Sequence, residues 1–176
     1  MKRLLLLLSL VALAVSAAGA RAATSHTVDL ASGLLDGHRV LGRTLAGVTA
    51  GLGRPDFRLG PHSRYRIGWG SPTDFSIEVL FHRSGQVERA YSIVFQRGPV
   101  SDVKVGDLLG RRPVALQAAI RARYGGIFKL IRTSACKSHA ACVGEFAPRN
   151  SSIYLTFGTN PTLGTWLTVW QRPSGV

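Results

Sequence analysis

The chain has 176 residues, 45% hydrophobic and 18% charged, with 22 Lys and Arg against 9 Asp and Glu for a net charge of +13. This reads as a globular chain, one compact domain or two small lobes on a shared core, which excludes a disordered polymer. The charge favours anionic partners, but the basic residues are scattered, only Lys2, Lys104, Lys129 and Lys137 are lysines, and there is no basic stripe of the kind that tracks nucleic acid.

The chain opens on an export pattern. Lys2 and Arg3 give a positive start, residues 4–15 an apolar run, and Ala20-Arg21-Ala22 a small-x-small cleavage site. The run is shorter than the about 20 apolar residues a bilayer span needs, and no later segment is apolar enough, so no membrane span is expected. Residues 1–22 are expected to be a signal peptide, removed near Ala22 to leave a secreted, periplasmic or cell-envelope protein. Losing Lys2, Arg3 and Arg21 lowers the charge by three, to +10.

Two related units are expected to follow, over residues 23–100 and 101–176. The first carries Leu41-Gly42-Arg43 and then Leu45, Val48 and Leu52, which with Leu41 fall on one helical face. Thr44 suits the N-cap, Gly53 the stop, and Pro55 prevents continuation. Strand-like sequence follows at residues 65–69. Ile77, Val79 and Phe81 then alternate, Ser84-Gly85 turns the chain, and residues 87–95 return. The second unit carries Leu109-Gly110-Arg111, then Pro113 for a first helical turn, with Leu116, Ala119, Ile120 and Tyr124 as a buried stripe ended by Gly125-Gly126. Residues 128–132 form its first strand. Ile153, Leu155 and Phe157 alternate, Asn160-Pro161 turns, and residues 163–170 return. The agreement of order and of the Ser-Ile-x-Val/Leu-x-Phe blocks predicts a tandem repeat of a helix-plus-hairpin unit. The fold class is α+β: antiparallel sheet, single or joined, with helices packed on one face.

Between the strands of the second unit stand the only cysteines, Cys136 and Cys142. In an exported chain they point to one disulfide closing a tight loop. His139 makes the spacing C-x-x-H-x-x-C, but structural zinc needs a fourth ligand and reduced thiols, and export opposes the second. No metal and no cofactor are expected.

Residues Gly42-x-Thr44-x-x-x-Val48-x-x-x-Leu52-Gly53-x-Pro55 match the G-x-T-x-x-x-V-x-x-x-L-G-x-P signature of the SmpA/OmlA-like outer-membrane assembly lipoproteins. Tyr65 and Trp69 follow where that family places its first strand. A tandem pair of such units resembles the secreted β-lactamase inhibitor proteins. The resemblance implies the same α+β fold, and says more about fold than function. No cysteine stands at the leader junction, so no lipid anchor is expected there.

Catalytic patterns are sparse. Ser134-Ala135-Cys136-Lys137 fits S-x-x-K, but neither S-D-N nor K-T-G accompanies it. There is no H-E-x-x-H, G-x-S-x-G or P-loop. His26, His38, His62, His82 and His139 are dispersed, and Asp74 with Glu78 makes only a loose carboxylate pair. No enzyme activity is expected, although a site assembled from distant residues stays open.

The aromatics give the remaining lead. Tyr65, Trp69, Tyr91, Tyr154, Trp166 and Trp170 all fall on predicted strands. A sheet face bearing Tyr65, Trp69, Tyr91, Trp166 and Trp170, rimmed by Arg66, His82 and Arg89, would suit a macromolecular partner, first of all a protein. The expectation is a secreted, non-catalytic binding module, with inhibition by simple occlusion as one use of such a face. The alternative is an envelope protein held by anionic polymer or lipid. Nucleic acid is not expected as a partner.

Overall fold

The structure, a computed structural model, describes residues 24–71, 74–96, 101–105, 108–134, 142–160 and 164–172. The expected leader, Cys136 with His139, and the Pro161 turn lie outside the described residues.

Helix α1 (Leu45–Leu52) starts at Thr44, whose extended backbone lets its hydroxyl accept from the Gly47 N–H at 3.2 Å. It stops at Gly53, which takes φ +81° while its N–H donates to the Thr49 carbonyl. Helix α2 (Pro113–Tyr124) begins on Pro113, where a missing N–H costs nothing. A Cβ at Gly125 would press on the Arg121 carbonyl at 2.5 Å, so a larger residue there would have to shift the backbone where the chain leaves this helix. Both helices begin and end where the sequence places them.

Strands β1 (Thr24–Asp29), β2 (Leu34–Leu35) and β3 (His38–Arg39) form a small sheet that sequence patterning did not anticipate. Asp36 and Gly37 join β2 to β3 with φ of 52° and 77°, a two-residue turn of the kind whose twist suits a hairpin. Asp36 is fixed there by accepting from the Thr27 N–H at 2.6 Å and by standing 2.6 Å from buried His26 Nδ1. After β4 (Phe57–Leu59), β5 (Arg64–Ser71), β6 (Asp74–Ser84) and β7 (Val87–Gln96), strand β8 (Ser101–Lys104) runs parallel to β1. A 3-10 turn at Leu108–Gly110 leads into α2. Then come β9 (Phe128–Thr133), β10 (Cys142–Pro148), β11 (Ile153–Asn160) and β12 (Gly164–Gln171).

The large sheet has eight strands in the order β4-β5-β6-β7-β12-β11-β10-β9, every neighbouring pair antiparallel. Each helix is thus followed by a four-strand meander, and the two meanders join through their last strands. Among the described residues, mostly antiparallel sheets plus two helices make the α+β class expected. The sequence-predicted strand at residues 128–132 is the outer edge strand β9. The strand that lies beside β11, as β5 lies beside β6, is β10, which patterning missed.

One cluster of buried residues unites the molecule. Val48 of α1, and Leu116 and Ile120 of α2, meet Ile67, Val79, Phe81, Ile93, Phe95, Leu155, Phe157, Leu167 and Val169 of the large sheet. Leu30, Leu35 and Val40 of the small sheet and its flank join the same cluster. Gly33, at φ +66°, has Leu41, Ile153 and Val169 side chains around it, so this flank packs on the β11–β12 hairpin.

Ile93 is fully buried in the sheet centre, whereas Val114 is 66% exposed on α2. Ile93→Ala should cost about 3 kcal/mol in urea unfolding and Val114→Ala under about 0.5 kcal/mol. Equal costs would contradict a core that runs across β7.

Candidate binding face

Side chains alternate along each strand, and paired residues share a face. The ladders Ile77↔Phe95↔Leu167↔Phe157 and Val79↔Ile93↔Val169↔Leu155 mark the face turned to the core. The intervening ladders Glu78↔Val94↔Thr168↔Thr156↔Glu145 and Leu80↔Ser92↔Trp170↔Tyr154 mark the other. The buried residues of both helices belong to the core side, so neither helix covers this second face.

Tyr65 and Trp69 are not on it. They share the parity of Ile67 and are 2% and 8% exposed. Tyr65 stacks on Phe81 at 4.9 Å between ring centroids, and the Arg58 guanidinium sits 3.9 Å over its ring. The expected five-aromatic surface is corrected accordingly: these two are core residues, because on β5 the opposite parity holds Arg66 and Gly68.

Trp166 and Trp170 do lie on the free face, half-buried, four residues apart on β12. The Trp166 ring occupies the space a Cβ at Gly158 would need, so it lies down across the neighbouring strand. Trp170 stacks on Tyr154 at 4.4 Å and 20°, and its indole N–H donates to the Thr156 hydroxyl at 2.9 Å. The Arg172 guanidinium stands 5.6 Å from the Tyr154 ring centre. Tyr154 falls outside the expected partner set, yet its alternation with Ile153, Leu155 and Phe157 is a signal for its outward position.

Polar groups floor the same face. Glu78, Ser92 and Gln96 are each 4% exposed. Arg66 donates to Glu78 at 2.7 Å. Burial pushes the Glu78 carboxyl above its usual range, while the charge and hydrogen bond of Arg66 pull the other way. Glu78 therefore engages Arg66, while the Asp74 side chain, which sequence proximity set beside it, lies outside what the structure describes.

His82 and Arg89 face one another across the β6–β7 hairpin, at its turn end. Tyr91 is the extra residue of a bulge, since Leu80 pairs with Ser92 and Phe81 with Ala90. These three line a cavity of about 310 Å³ together with Gly42 and Gln171. The expected partner residues thus fall into three places: a buried pair, an aromatic face with Arg66, and a cleft at the turn end of the β6–β7 hairpin.

Among the described residues, no three of His, Cys, Asp and Glu stand together as a metal site, and no helix is long and apolar enough to cross a membrane. No known protein family, curated protein or solved structure matches this chain.

Because folding raises the Glu78 pKa, the native state holds that proton more tightly than the unfolded chain. Its contribution to stability is present below the unfolded value of 4.5 and is lost as pH rises through the folded one. Glu78→Gln should therefore gain on wild type as paired urea titrations move from about pH 4 to about pH 7. A flat difference would mean that the carboxyl is solvated.

Proposed function

We propose that this protein is a secreted, non-catalytic binding module that docks the free face of its eight-stranded sheet on a macromolecular partner, first of all a protein, and blocks it by occupancy. The observation that carries the reading is the pre-set aromatic pair on β12. Trp166 rests over Gly158, and Trp170 is held by Tyr154 and Thr156, on the face both helices leave uncovered. Rigid aromatic side chains lose little freedom on binding and dominate interface energetics.

The proposed build is a duplication resembling paired SmpA/OmlA-like units, and one feature supports it. The first Leu-Gly-Arg block docks on the last strand of its own meander: the Gly42 N–H donates to the Ala90 carbonyl at 2.7 Å, and the Ala90 N–H to Arg43 at 2.8 Å. The second block does likewise, with the Thr165 hydroxyl donating to the Arg111 carbonyl at 3.1 Å. Both contacts lie just beyond the paired segments 92–96 and 166–170. Export through the leader, and a disulfide from Cys136 to the buried Cys142 at the start of β10, belong to the same proposal.

A capture experiment tests the docking face, with the purified protein as bait for the secreted and envelope fractions of its source. A discrete protein should survive a high-salt wash, and Trp166→Ala and Trp170→Ala should each weaken it by about 2 kcal/mol, roughly thirtyfold. Polymer or lipid that leaves as salt rises would instead favour retention by charge. The disulfide has its own check. Thiol labelling of the denatured, unreduced protein should find no reactive cysteine, and two labels per chain would remove it from the proposal.

A further inference from the structure

We propose a second binding site, for a phosphoryl group, in the cleft where β12 ends and residues 41–43 take its place beside β7. Its lining residues do not include Tyr154, Trp166 or Trp170. Strand β7 pairs with β12 only over residues 92–96. Past Ser92 the vacated edge is taken by Gly42 and Arg43, through their backbone hydrogen bonds to Ala90. Gly42 has φ +80°, and a Cβ there would come within 3.3 Å of the Gln171 amide, so two chain segments abut with no side chain between them.

Two adjoining cavities, of about 310 and 400 Å³, open at this junction and share Gly42 and Arg89. Arg39 from β3, Arg43 from the turn before α1, and Arg89 from β7 line the larger one. His82, Tyr91 and Gln171 line the other. No carboxylate lines either cavity among the described residues. Nor does any of these arginines have an ion-pair partner there, whereas Arg66 on the sheet face is paired with Glu78.

Three arginines lining one cavity bring like charges to one place, which an anion would offset. Their planar forks match the oxygens of a phosphoryl group, which can take two parallel hydrogen bonds from each fork. A phosphomonoester carries a charge of about −1.5 to −2, which answers several cations better than a single carboxylate does. His82, Tyr91 and Gln171 add further hydrogen-bonding groups at the rim. The phosphoryl group can belong to a free solute or to a lipid head group.

Two probes separate those sources: calorimetric titration with inorganic phosphate against chloride at equal ionic strength, and flotation with phosphatidylcholine vesicles with or without phosphatidic acid. The purified protein is compared with Arg43→Gln/Arg89→Gln and with a charge-matched control, Arg54→Gln/Arg121→Gln. All four arginines are exposed, and equal unfolding midpoints would verify that the fold is kept. Binding of phosphate, or of phosphatidic acid vesicles, should weaken about tenfold or more in the first variant and hold in the control. If only the vesicles bind, with the same loss, the head group is the source. The site is overturned if neither probe binds beyond its control, or if the two variants lose binding equally.

Discussion

The antiparallel pairing of β7 with β12 is the constraint on which the rest of the structure depends. Residues 92–96 meet residues 166–170, so two four-strand meanders from distant parts of the chain become one sheet. Ile93 stands against Val169 and Phe95 against Leu167, all fully buried, at the centre of the core. Without that ladder each meander would expose an apolar inner edge, and the helices would cover two small half-cores. Small cores bury a smaller fraction of their surface and are correspondingly marginal. The pairing is also long-range, so its loop-closure entropy must be met before its contacts form, which puts it late in folding.

The same ladder sorts the aromatics. Once Ile93 and Phe95 face the core, Trp166 and Trp170 must face away, because they pair with Gln96 and Ser92. Glycine then shapes what the outer rings do. Phe57 covers Gly68, and Trp166 covers Gly158, both on the free face, while on the core face Phe157 covers Gly144. At each point the missing side chain lets a ring from the next strand lie against backbone. This replaces a vertical side chain with a broad apolar patch, and it ties the position of Trp166 to residue 158.

Much of this was legible in the residues, and what was not has physical causes. The helix ends are local events: the Thr44 hydroxyl, the positive φ at Gly53 and the Pro113 start each act within one turn. Strands β5, β6, β7, β11 and β12 show themselves by alternation. Strand β10 does not, because its core parity reads Cys142, Gly144, Phe146, and the space above Gly144 is filled by Phe157 from another strand. Strands β2 and β3 have two residues each and are held by tertiary contact, although Asp36-Gly37 is a readable turn. Parity was also readable on β5, where Tyr65, Ile67 and Trp69 alternate with Arg66 and Gly68, and that alone separates core aromatics from surface ones. The partner switch at Ala90 was not readable, because it depends on where β12 stops relative to β7. Arg39 and Arg43 therefore gave no sign of sharing a cleft with Arg89.

The two proposed surfaces work by different physics. The aromatic face draws on apolar area and on rings already held in place, so added salt leaves most of its attraction intact. The arginine cleft draws on exposed charges, whose attraction for an anion fades once the screening length falls to a few ångströms. Arg66 does not add to that charge. It stands three strands from Trp170 along one ladder, about 14 Å, and its charge is already committed to a carboxylate that burial makes costly to ionise. A charge so committed contributes little to long-range attraction. Arg39, Arg43 and Arg89, without such a partner among the described residues, meet instead at the end of β12, where the backbone of β7 changes partners.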